Sequence, residues 1–175
     1  YDRLWPLEFG IAAEIFGWER PELGVDWYDF RVAAPPGTNR AMGGFSISSD
    51  HGLEALRDAD TIIIPGWRDV ADTPPDDLLD ALTAAHARGA RLMSYCTGAF
   101  VLAHAGLLNG RKATTHWNYL ARMQQRFPQV HARNKRAQPH CHGLKMQFVR
   151  DNIQHHHFPL LFFLCINHFQ LIYID

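Results

Sequence analysis

Long apolar runs are scarce in this chain. The longest, Phe158 to Ile166, falls far short of the roughly 18 residues a membrane-crossing helix needs, and no secretory leader pattern opens the sequence. A soluble protein is expected. Cysteine is equally sparse: Cys96, Cys141 and Cys165 are odd in number and widely spaced, which argues against a disulfide scaffold and fits a reducing compartment, the cytoplasm. Charge of one sign is missing too. Seventeen Lys and Arg against eighteen Asp and Glu leave a net charge of -1, so the basic footprint of a dedicated nucleic-acid binder is lacking. Neither a Walker loop nor a G-x-G-x-x-G run occurs, so phosphate or dinucleotide binding gains no support and no cofactor is expected.

What is present reads as an α/β domain. At 175 residues a single domain buries about two-thirds of its unfolded surface, enough for a sizeable core. The first residues, Tyr-Asp-Arg-Leu-Trp-Pro, read as a loop entering a helix rather than a start, and an upstream segment is expected. A helix is predicted over 7–16, with Pro6 in its first turn and Gly17 at its stop. Extended segments follow at 27–34 and 45–48, then a short helix at 52–56. Thr61 to Ile64 is a continuous β-branched run, suited to a strand covered on both faces.

The clearest helix is predicted over 74–88, where Leu78, Ala81, Leu82 and Ala85 form one apolar stripe. Thr73 is its expected N-cap, Asp76 and Asp77 complement the dipole, and Gly89 supplies a left-handed stop. A strand at 91–95, a helix at 97–108, a strand at 112–115 and a helix at 118–127 complete an alternation that specifies α/β.

The character changes after Val130. Residues 1–130 hold sixteen acids and twelve bases, whereas 131–175 hold two acids and five bases, with seven of the eleven histidines lying between His131 and His168. The expected division is a domain over 1–130 and an atypical tail over 131–175, out of frame or poorly ordered. The tail's His140, Cys141, His142, His155, His156 and His157 are metal-ligand types, yet no paired ligand spacing appears, so no metal site is expected.

Cys96 lies in Ser94-Tyr95-Cys96-Thr97-Gly98, between a predicted strand and a predicted helix. A free cysteine is most often a small buried hydrophobe. Placement at a strand-turn-helix junction instead fits a nucleophile elbow, where the helix N-terminus is expected to pull the thiol below its free value of about 8.5. The Thr97 N–H and another near Gly66, in the Pro65-Gly66-Trp67 turn, are candidate oxyanion donors. His116 closes a predicted strand on the same side as a candidate base or relay, with the competing reading of a satisfied structural histidine. Glu8 opens the first helix, either complementing its dipole or bonding the thiol.

Four ordered segments are similar to one family: residues 5–17, Ile64-Pro65-Gly66-Trp67, residues 94–103 and residues 110–117. Over about 1–130 they resemble the GlxA family of AraC-type regulators, closest to its FtrA-like members, whose N-terminal half is a PfpI-type, class I glutamine amidotransferase-like domain. The resemblance implies a flavodoxin-like three-layer sandwich with a mostly parallel sheet. It implies Cys96 at the elbow, Glu8 as acidic partner and His116 as nearby imidazole, with Gly66, Trp67, Thr97 and Gly98 around them. It also implies a small-molecule effector, a homodimer, and DNA contact only through a downstream helix-turn-helix domain. Three departures stand out: the family's opening strand is absent, its strand, Thr-Ser-Ala-Gly-like turn and long helix do not follow Val130, and no DNA-binding part follows.

Three functions are therefore in play: a ligand-sensing regulatory domain, a small cysteine hydrolase or isocyanide hydratase-like enzyme, and a fragment without activity of its own. Hydratase relatives usually carry aspartate where Glu8 stands, which places the enzyme second.

Overall fold

A computed structural model describes residues 1–133 and 171–174. The metal-ligand types of the tail between His140 and His157, Cys141, Cys165 and the apolar run 158–166 lie outside those residues. Strand β1 (Asn39–Arg40) pairs antiparallel with β2 (Ser46–Ile47). Strand β3 (Thr61–Ile64) runs parallel to β4 (Arg91–Tyr95), with Ile62 opposite Leu92 and Ile64 opposite Ser94. On its other edge β4 pairs antiparallel with a strand from the far end of the chain, Leu171–Ile174. A separate parallel pair joins β5 (Lys112–Ala113) to β6 (His131–Ala132), so the Leu171–Ile174 strand is β7.

Helix α1 (Pro6–Ala12) continues as one π turn over Ala13–Gly17. Helix α2 spans Asp76–Ala87, and its stripe works as its spacing requires: Leu82 and Ala85 are buried while Leu78 and Ala81 pack against the core. Helix α3 (Ala99–His104) is apolar almost all round and correspondingly embedded, with every residue from Ala99 to Ala103 buried. Helix α4 covers Leu120–Arg126. The core gathers Ile62, Ile64, Trp67, Leu82, Leu92 and Phe100 between these elements.

Four sequence expectations are corrected. Among the described residues the segment 27–34 forms no ladder; Ala33 makes a single bridge to His51, and the Ala34 N–H donates to the His51 carbonyl at 2.9 Å. Its β-rich composition is not enough, because a strand exists only where its backbone groups find a partner along their length. The helix expected over 97–108 starts as a 3-10 turn at Cys96–Gly98 and ends at His104. The strand expected over 112–115 shortens to Lys112–Ala113. Thr73 does not cap α2: Pro75 occupies the cap position without a side-chain bond, and the Thr73 hydroxyl accepts from Arg126 Nη2 at 3.3 Å. The same guanidinium donates through Nη1 to the Val70 and Ala71 carbonyls at 2.6 and 3.1 Å, tying α4 to the segment after Trp67.

Gly89 ends α2 as its sequence position predicts, with φ at +100° and its N–H on the His86 carbonyl. Nothing lies within 4 Å of a Cβ added there, so only backbone conformation opposes a side chain. Gly89→Ala should therefore lower stability by about 1 kcal/mol, with Gly89→Asn milder because asparagine tolerates the left-handed region. Urea denaturation followed by circular dichroism checks both, and an Ala variant as stable as the parent would contradict it.

Candidate functional site

The site begins where β4 stops. Past Tyr95 the chain turns through Cys96 at φ +52°, in the left-handed region that a non-glycine residue occupies at a cost of about 1–3 kcal/mol. The turn is tight because Gly98 is pressed against the end of β3. A Cβ on Gly98 would lie 2.5 Å from the Pro65 carbonyl oxygen and 2.7 Å from that of Ile64. Two threonines brace the bend. The buried Thr97 hydroxyl donates to the Trp67 carbonyl at 2.9 Å, and the fully buried Thr115 hydroxyl donates to the Cys96 carbonyl at 3.0 Å.

Helix α1 brings in a carboxylate from the opposite side. Glu8, in its first turn, is 5 % exposed and accepts a hydrogen bond from the Cys96 thiol. Gly66 completes the floor: a Cβ there would stand 3.2 Å from Glu8 Oε1, 3.2 Å from Trp5 Cδ1 and 3.3 Å from Thr97 Oγ1. Tyr1 closes the side by donating to the Pro65 and Gly66 carbonyls at 3.0 and 2.9 Å, its ring edge-on to buried Trp67 with centroids 4.8 Å apart. Its phenol is raised above its ordinary range by burial and by the nearby Glu8 charge.

Electrostatics at the sulfur run opposite to the sequence expectation of a depressed thiol. Burial, and then the Glu8 charge, push the Cys96 thiol up to about 11, while the Thr97 N–H facing the sulfur opposes them. One short 3-10 turn followed by a six-residue helix does not outweigh a buried carboxylate in direct contact.

The consequence for stability has a definite sign. The folded thiol keeps its proton where the unfolded one, with an ordinary value of 9.0, gives it up, so its contribution is complete below 9 and lost as pH rises through about 11. Urea unfolding should show stability falling more steeply across that window in the parent than in Cys96→Ser; equal slopes would sink the assignment.

The structure thus brings Cys96, Glu8, Gly66, Trp67, Thr97 and Gly98 together. His116 faces other partners: Nδ1 accepts from the Asn118 N–H at 3.3 Å, and its ring lies 5.5 Å from Trp117 and 5.7 Å from Tyr119. Among the described residues no hydrogen bond joins it to Cys96. Sequence reasoning missed Tyr1, Trp5 and Thr115. Thr115 stood inside the Thr-Thr-His-Trp segment, where attention went to the imidazole; Tyr1 and Trp5 carried no periodic signal.

An open groove of about 530 Å³ lies elsewhere, along one face of α1 and the π turn, lined by Gly10, Ala13, Glu14, Gly17, Trp18 and Phe30 among others. Neither Glu8 nor Cys96 lines it.

Comparison with known proteins places the fold. The DJ-1/PfpI family model matches residues 20–152. This chain belongs to the DJ-1/PfpI family. Its fold is accordingly the flavodoxin-like α/β fold, with parallel strands β3 and β4 carrying the site. A crystal structure of a putative transcriptional regulator protein from Vibrio parahaemolyticus superposes with a TM-score of 0.67 at 21% identity, covering 77% of this chain and 72% of that one.

An uncharacterized protein in the cpoL 5' region of Streptomyces lividans is 35% identical over 73% of this chain and 91% of its own length. The HTH-type transcriptional regulator CdhR of Pseudomonas aeruginosa is 36% identical over 61% of this chain, which spans only 32% of that regulator. A shorter match, 43% identical over 34% of this chain and 27% of that protein, links it to the isonitrile hydratase of Pseudomonas putida. Among the described residues no helix is long and apolar enough to cross a membrane.

Proposed function

We propose that this chain is the effector-sensing and dimerising domain of a cytoplasmic AraC-type transcription regulator of the GlxA/FtrA-like kind. In this reading DNA is contacted by a helix-turn-helix part outside these 175 residues. The observation that carries the reading is the contact at the sulfur: a thiol that donates to the buried Glu8 carboxylate, and that burial and this charge push up to about 11, is held protonated rather than poised to attack an electrophile. Regulators among the relatives, of which the chain spans about a third in one case, favour the same assignment.

The domain is read as residues 1–130, a three-layer sandwich with a mostly parallel sheet, with 131–175 as an atypical tail. Cys96, Glu8 and His116 surround the effector, and the Gly66 and Thr97 amides with Trp67 and Gly98 shape its seat. The parent reading frame tests the assignment: a basic helix-turn-helix segment should be encoded downstream of residue 130, and its absence from every frame overturns the reading. Sedimentation of the purified chain tests the homodimer, which a purely monomeric distribution at micromolar concentration rejects.

The second reading is a small cysteine hydrolase or hydratase-like enzyme, favoured by the 43% identity to isonitrile hydratase. There Cys96 attacks carbon, the Thr97 and Gly66 amides hold developing charge, and Glu8 and His116 move protons. Iodoacetamide kinetics across pH separate the two readings: a Cys96 midpoint below 8 favours the enzyme, and one above it the sensor.

A further inference from the structure

We propose that Thr115 is the positioning residue of the Cys96 site: by bonding the Cys96 carbonyl, its hydroxyl holds the elbow residue in its left-handed conformation and so keeps the sulfur against Glu8. The two residues are 19 apart in sequence and meet at 3.0 Å, with Thr115 fully buried. Cys96 and Arg3 are the non-glycine residues with positive φ among those described, so the elbow is a strained point that needs an external hold.

The Thr97 hydroxyl and the Gly98 seat fix the residues that follow Cys96. Neither constrains the Cys96 carbonyl, which swings away if the residue relaxes to an ordinary backbone conformation. Losing the Thr115 bond removes a hydrogen bond whose worth is of the same order as the strain at the elbow, so it weighs directly on that balance. Thr115 also leads directly into His116, whose carbonyl accepts from the Tyr119 N–H at 2.8 Å to form the turn before α4. The elbow is thereby joined to the segment that presents exposed Trp117.

This deepens the sensing reading, resting on it for the identity of the site. Its test needs no effector. Among charged or titratable groups, Glu8 from α1 bears on the thiol, and Tyr1 from the opening segment bears on Glu8 and in turn feels Arg68 from the turn after β3. None of them is altered in the variants below.

Iodoacetamide alkylation of Cys96 is followed against pH in the 175-residue parent, Thr115→Val and Thr115→Ser, with Cys141 and Cys165 replaced by serine throughout. Thr115→Val keeps the shape and removes the hydroxyl. Freed from Glu8, the thiol midpoint should fall by about one unit, raising the rate at pH 8 about tenfold. Thr115→Ser keeps the hydroxyl and should stay within about twofold of the parent on the same scale.

A Thr115→Val profile that overlays the parent overturns the proposal, as does a Thr115→Ser profile shifted as far as that of Thr115→Val. If Thr115→Val shows no cooperative unfolding transition, Thr115→Ala replaces it with the same expectation and the same overturning result. Failure of the sensing reading would appear in the downstream frame and leave these profiles untouched.

Discussion

Gly98→Ala should lower the unfolding free energy by about 3 kcal/mol, the upper part of the range for overpacking a well-packed interior. The added Cβ meets two main-chain oxygens, of Pro65 at 2.5 Å and of Ile64 at 2.7 Å, and neither belongs to a flexible side chain that can step aside. Either β3 separates from the elbow, exposing the floor of the site, or the bend at Cys96 opens. Thermal unfolding followed by circular dichroism should show a loss of roughly 6–12 °C for a chain of this size. A shift of under 2 °C would mean that the two segments part more easily than their packing indicates, and the rigid elbow would have to be abandoned.

Glu8→Gln should make the Cys96 thiol more acidic. The buried carboxylate disfavours a second negative charge beside it and accepts the thiol's proton in a hydrogen bond. Glutamine removes the charge while keeping the shape, so the thiol should come down from about 11 toward its ordinary value of 9.0, with the burial contribution retained. A fall of one unit multiplies the thiolate fraction at pH 8 about tenfold, and the alkylation rate with it. An unchanged rate in a variant that still unfolds cooperatively would show that Glu8 does not govern the sulfur.

These two residues also show what was legible in the sequence. Thr61–Ile64 and Arg91–Tyr95 were read to their exact ends because a buried parallel strand writes itself as a short apolar run between turn signals. Helix α2 was read from its stripe and from Gly89. The elbow followed, since a cysteine between such a strand and a helix has few other places to be.

Long-range pairing was not legible. No local pattern announces that Thr115 would reach Cys96, that Tyr1 would bond the Pro65 and Gly66 carbonyls, or that Leu171–Ile174 would flank β4. Nor does local sequence reveal that, among the described residues, 27–34 would have just one β-bridge, from Ala33 to His51. The expected acidic thiol failed for a related reason. The helix N-terminus is visible in sequence, whereas the carboxylate from a helix 88 residues earlier, between Glu8 and Cys96, acts only once the chain is folded.

Arg126 has a consequence that extends past its own helix. From Trp67 the contacts pass to Thr97, across the bend to Thr115, through the His116 turn into α4, and by way of the guanidinium back to Val70 and Ala71. Such a circuit has no loose end from which to unravel. Amide protons along it should exchange with solvent only when the whole molecule opens, so a disturbance at the sulfur is felt around the full loop rather than at one rim.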